Sequence, residues 1–223
     1  MAVNYPESAD EWREWTQKWW DSMLIIPKGS NPMKDQNGSN FKNFKQPYDQ
    51  EGIWFLAGNL GGEDQRNITV KKGKVLFFPE VNFIACKDNR FGGDKSRYTF
   101  GDVENSLYIN EKQGDPEKDA REDVTKSEES TSVDFKGPVK QRIRKRVQNP
   151  FWTTNFGQPP VMGGGSGPAD CLSDGYWIFT EPLEAVGEKA YITIEAKHPE
   201  INDTHGRRHS FSSKVVYEID IVP

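Results

Sequence analysis

Few side chains in this 223-residue chain have the chemistry to act on a ligand or a substrate, and the histidines come first. There are three: His198, His205 and His209. The last two stand four apart in Asn202-Asp203-Thr204-His205-Gly206-Arg207-Arg208-His209. With Asp203 or His198 they supply the nitrogen and oxygen donors of a divalent-metal site. Two features weigh against that reading. A spacing of four joins two side chains only on a helix, whereas this stretch separates two strand patterns and reads as a hairpin loop. Arg207 and Arg208 would also repel a bound dication.

Cys86 and Cys171 are the whole thiol inventory, so no CxxC or zinc spacing exists. In an exported protein they form one disulfide joining the two halves; in a cytosolic one they are two buried thiols. No GxSxG, HExxH or Walker pattern occurs. Gly163-Gly164-Gly165-Ser166-Gly167 lacks the Lys-Ser/Thr and the glycine spacing that place amides around a phosphate, and reads as a flexible connection. No cofactor is therefore expected. The 34 acids leave room for a carboxylate pair of the kind that cleaves glycosidic bonds, but none stands out by its setting.

The elements that must position these residues are strands. Ala plus Leu number 16, whereas Val, Ile, Tyr, Phe and Trp number 54, a strand former's composition. Leu, Ile, Val and Phe total 47 of 223 residues, just above the roughly 20% below which chains fail to fold. The core must therefore draw on its 27 aromatic side chains. No apolar run approaches the length of a membrane helix, and no export signal opens the chain. A net charge of −5 argues against nucleic acid as a partner.

One helix is well marked. Ser8-Ala9-Asp10-Glu11 is a capping box, and Trp12, Trp15, Trp19 and Met23 then recur at helical spacing, with Trp20 beside them, until Pro27. Four tryptophans on one helix suit stacking against sugar rings, but the stripe suits packing onto a sheet better, which makes 8–26 a packing helix. Residues 28–50 read as a long loop pinned by Phe41 and Phe44. Strand patterns follow at Ile53–Ala57, Asn67–Val70, Lys74–Phe78 and Val81–Ala85, with a hairpin turn at Lys71-Lys72-Gly73 and a strand end or bulge at Pro79.

Asp115–Ser130 holds seven acids against three bases and reads as a short, solvated, charged helix. Lys136–Arg146 holds six bases and no acid, which suits a polyanion site or an edge strand guarded by charge. Near the C-terminus, Ala190, Ile192, Ile194 and Ala196 alternate with polar residues, as do Val215, Tyr217, Ile219 and Ile221. With Tyr176–Thr180 they form the clearest three-strand unit, within 168–223. The expected architecture is mainly β, a β-rich α+β antiparallel β-sandwich over one domain, 1–223, carrying the N-terminal Trp helix and the inserted charged helix.

Several blocks occur in a familiar order: Trp54-Phe55-Leu56-Ala57-Gly58 with Gly61-Gly62, Gly73-Lys74-Val75-Leu76-Phe77-Phe78-Pro79 through Asn82, Arg146-Val147-Gln148-Asn149-Pro150-Phe151, and Ser173-Asp174-Gly175-Tyr176-Trp177 with Pro182-Leu183 and Gly187-Glu188. In these the chain resembles a family of uncharacterised bacterial and archaeal β-rich proteins, many of them exported. The resemblance implies an extracytoplasmic location and assigns no activity. It directs attention to the turn-adjacent polar residues around its blocks: Glu80, Asn82, Asp88, Arg90, Arg146 and Asp174 as ligand-binding candidates. Long loops on a rigid β scaffold without a catalytic signature give a non-enzymatic binding or surface module as the leading expectation, its partner a small molecule, a glycan or a protein. The competing classes are a polymer hydrolase using a carboxylate pair or a metal on Asp203, His205 and His209, and a structural subunit of an assembly.

Overall fold

The computed structural model describes residues 3–87, 97–100, 107–110, 131–162, 166–202 and 208–223. Among them the fold is two β-sheets with one long helix. The first sheet contains β1 (Ile53–Phe55), β3 (Val75–Lys87), β4 (Arg97–Phe100), β5 (Leu107–Asn110), β7 (Gln141–Phe156) and β8 (Gly167–Thr180), in the order β5-β4-β3-β8-β7 with β1 also against β3. The second runs β2-β10-β9-β6, from β2 (Gly62–Lys71), β10 (Arg208–Val222), β9 (Lys189–Asn202) and β6 (Thr131–Lys136). The sheets meet where Phe78 of β3 lies against Phe135 of β6.

The sandwich is mixed rather than purely antiparallel: β1 pairs with β3, and β2 with β10, in parallel. The expected hairpin at Lys71-Lys72-Gly73 is a passage between sheets, because β2 and β3 belong to different layers. Its backbone is satisfied elsewhere, Lys72 N–H by Val222 and Gly73 N–H by Leu183. Tyr176–Thr180 likewise belongs to β8 in the first sheet, so the strand completing the β9–β10 unit is β6. Gly137-Pro138 splits the basic segment into β6 and β7, each at the end of its sheet's strand order. Pro79 does mark a bulge, since the β3–β8 register shifts between Pro79 and Val81.

The helix α1 (Ala9–Leu24) starts at the capping box, with Glu11 N–H donating to Ser8 Oγ and Ser8 N–H to the Glu11 carboxylate. Trp12, Trp19 and Trp20 are 2%, 1% and 3% exposed, so the stripe faces the sheet and not a ligand. Trp12 and Trp15 meet Phe179 edge-on, and Trp19 meets Trp177 in the same way. Each such aromatic contributes about 2 to 3 kcal/mol by burial, which is how so polar a chain sustains a core.

Residues 28–50 are not a bare loop. They hold three short 3-10 helices, Lys28–Ser30, Pro32–Lys34 and Asp49–Glu51, and α2 (Ser39–Asn43). Buried polar side chains fix them. Asn31 donates to the carbonyls of Met23 and Ile26 at the end of α1, and Gln46 makes a reciprocal pair with the Phe55 backbone. Arg66 of β2 is fully buried; it donates to the carbonyls of Asp35, Ala57 and Gly58, to Tyr217 and to the Asp64 carboxylate. Five residues at four places in the chain are thereby held by one guanidinium.

Candidate functional site

In an antiparallel pair, residues directly opposite share a face, and faces alternate along each strand. Ser173, Gly175, Trp177 and Phe179 of β8 therefore face α1 together with Asn149, Val147, Lys145 and Ile143 of β7. The other face carries Asp174, Tyr176 and Ile178 with Gln148, Arg146 and Arg144. On that second face a polar cluster forms. The Arg146 guanidinium grips the Asp174 carboxylate with Nε and Nη2 at 3.1 and 2.9 Å, and Gln148 Nε2 donates to the same carboxylate at 2.9 Å. Arg144 Nε donates to Glu80 at 2.5 Å. Glu80 reaches this place because the Pro79–Val81 bulge re-aims the strand there.

Tyr176 lies between the two guanidiniums, 4.0 Å from Arg144 and 5.8 Å from Arg146 measured to the ring centroid. The carboxylates are deep and the cations shallow: the Asp174 and Glu80 side chains are 3% and 8% exposed, those of Arg146 and Arg144 28% and 32%. The hydrogen bond to Asp174 holds Arg146 above the usual guanidinium range, outweighing its partial burial. Charge on the cluster is balanced, and each acid is closed by a base. The arrangement presents flat, oriented donors and an aromatic ring.

Of the six residues singled out from sequence, Glu80, Arg146 and Asp174 meet in this cluster. Asn82 does not: it pairs with Gly175 and so lies on the helix-facing side of the sheet. Asp88, Arg90, Asp203 and His205 lie outside the described residues, as does the acidic 115–130 segment. His209 stands in β10 opposite Ile201. No group of three or more metal-binding side chains is found among the described residues. Cys86 and Cys171 sit opposite each other on β3 and β8 and are disulfide-bonded, with both residues buried.

Arg144, Gln148 and Tyr176 belong to the cluster but were not singled out from sequence. Their signal was parity. Within Arg142-Ile143-Arg144-Lys145-Arg146-Val147-Gln148, positions 144, 146 and 148 share one side of a strand, and counting the bases as a block hides that.

Beside the cluster, α1 and the first half of β7 enclose a cleft of about 310 Å³. Arg13 spans its edge, donating from Nε to the Gln148 carbonyl at 3.3 Å and from Nη1 to Asp10 at 2.8 Å. No protein-family model, curated protein or solved structure matches this chain. The functional reading therefore rests on the geometry.

Proposed function

We propose that the protein is a non-enzymatic binding module that works outside the cytoplasm and takes a protein partner on the β7–β8 face. The observation that carries this reading is Tyr176 flanked by two solvent-reaching guanidiniums, each anchored on a buried carboxylate. Arginine and tyrosine held in place before binding lose little entropy on complex formation, which is why such residues dominate protein interfaces.

A glycan is the weaker ligand. The tryptophans of α1 that would stack on sugars are spent on the core, and the large apolar side chains exposed among the described residues are Ile25, Phe151 and Val186. The buried Cys86–Cys171 disulfide supports an oxidising compartment, as does the family resemblance. A glycan array read together with tryptophan fluorescence under sugar titration tests the choice of partner. No response is expected; a saturable response abolished by Tyr176→Ala would replace the protein partner with a carbohydrate.

A further inference from the structure

Trp15 differs from the other three tryptophans of α1 in being half-buried. It meets Phe55, Phe77 and Phe179 edge-on, which holds the ring in place. It also meets Tyr48 at 5.3 Å between centroids, with the two planes at 78°. Tyr48, half-buried as well, is fixed by the Phe55 ring at 5.2 Å and by its carbonyl, which accepts from the Glu51 and Ile53 N–H groups. The two rings make a near-perpendicular corner, and a cation stands in it. The Lys18 ammonium lies 4.4 Å from the Trp15 ring centroid and 5.2 Å from that of Tyr48. Acids flank the corner. Glu14 pairs with Lys18 at 2.8 Å. Burial raises the Tyr48 phenol pKa, the Lys18 charge opposes that rise, and the charges of Glu51, Asp21 and Glu14 add to it.

We propose that this corner is a binding site for a quaternary ammonium group, with Lys18 as its built-in competitor. The ring faces are reachable by a cation, since the Lys18 ammonium lies over both of them on a side chain that is 28% exposed. A primary ammonium is strongly hydrated and keeps its hydrogen bonds to Glu14 and water. A quaternary ammonium has no N–H to leave unpaired, so it gives up less hydration and gains more from the two aromatic faces. Displacing Lys18 costs little, because its pair with Glu14 is an i, i+4 pair near solvent. Rings already held by the core lose little further entropy when a ligand arrives. A free choline-type compound and a trimethylated lysine of a partner offer the same group. The inference goes beyond the partner-binding reading and does not depend on it. Trp15 packs with Phe77 and Phe179 on the helix side of the first sheet, whereas Tyr176 and its arginines lie on the other.

The test is an NMR titration of the intact protein at constant ionic strength, following the Trp15 indole N–H. The probes are choline, its uncharged tert-butyl isostere, and a capped tripeptide with a central trimethyllysine. Choline is expected to shift Trp15 saturably and the isostere to leave it in place. Lys18→Gln, which keeps a helix-forming side chain and removes the competing charge, is expected to raise choline affinity roughly fivefold. Tyr48→Leu is expected to lower it by a similar factor. Tyr176→Ala is expected to leave the titration unchanged, which separates failure of this site from failure of the partner face. Tighter binding by the peptide assigns the group to a partner's methylated lysine, and tighter binding by choline to a free small molecule; both support the site. No saturable Trp15 shift in either the unaltered protein or Lys18→Gln, an equal response to the isostere, or a choline affinity not raised by Lys18→Gln would overturn it.

Discussion

Arg66 and Tyr217 stand opposite each other in the parallel β2–β10 pair, and Arg66 Nη1 donates to the Tyr217 phenolic oxygen across 2.6 Å in a fully buried setting. The same oxygen donates to the Ala57 carbonyl and accepts from the Ala57 N–H. Burial raises the phenol pKa, and the Arg66 charge opposes that rise. This pair fastens the segment entering β2 to the C-terminal strand.

Removing the Tyr217 hydroxyl leaves the Ala57 N–H buried without its acceptor, and removing Arg66 leaves the Asp64 carboxylate without its guanidinium. Tyr217→Phe is expected to cost about 1 to 3 kcal/mol, and Arg66→Met, which strands the Asp64 carboxylate, about 3 to 5 kcal/mol. Urea midpoints at constant slope measure both.

The Cys86–Cys171 disulfide closes a long loop, with a sequence separation of 85 residues. Reduction, or the double substitution to alanine, is expected to cost about 4 kcal/mol by loss of the constraint on the unfolded chain. Thermal unfolding with and without reductant gives the value. An unchanged transition would show that the bond does not constrain the unfolded state.

Gly175 and Gly157 are among the glycines required by close approach. A Cβ at Gly175 would lie 2.7 Å from the Val81 carbonyl, and one at Gly157 2.3 Å from the Ile25 carbonyl. Both neighbours are backbone and cannot rotate away. Gly175→Ala and Gly157→Ala are each expected to destabilise by about 1 to 3 kcal/mol, whereas Gly29→Ala, with open space around it, is expected to be near neutral.

The capping box makes the start of α1 sensitive to acid. Backbone hydrogen bonds from Ser8 and Glu7 hold the Glu11 carboxyl below its ordinary value. A lowered folded-state pKa contributes stability that is present above the unfolded value and is lost as pH falls through the folded one. Fraying at residues 8–11 is therefore expected below the ordinary glutamate range near 4.5, read by amide exchange. Glu11→Gln is expected to flatten that dependence.

The parts of this fold that sequence made legible are those set by local rules. Ser8 and Glu11 announce the helix, the alternation in Ala190–Ala196 and Val215–Ile221 announces β9 and β10, and Pro79 announces the bulge. What stayed hidden depends on long-range pairing. Nothing local tells that Lys71-Lys72-Gly73 joins two layers, or that Thr131–Lys136 is the strand beside β9. Arg66 sits in a strand whose alternation is otherwise unremarkable, and its partners come from residues 35, 57, 58, 64 and 217. The site was half legible for the same reason: Glu80, Arg146 and Asp174 lie in or beside the motif blocks, though they stand within β3, β7 and β8 and not at turns as expected, whereas Tyr176 and Arg144 acquire meaning only once β7 and β8 are in register.

The β7–β8 face as the partner surface is tested most directly by site-specific photocrosslinking from Gln148 in the protein's own host, with a second probe at exposed Glu184. The account predicts one discrete protein adduct from Gln148 and none from Glu184. It also predicts that Tyr176→Ala, which leaves both ion pairs intact, weakens the purified complex by roughly thirtyfold, the effect of a hot-spot truncation of about 2 kcal/mol. No adduct from Gln148, or an adduct and affinity indifferent to Tyr176→Ala, would contradict it.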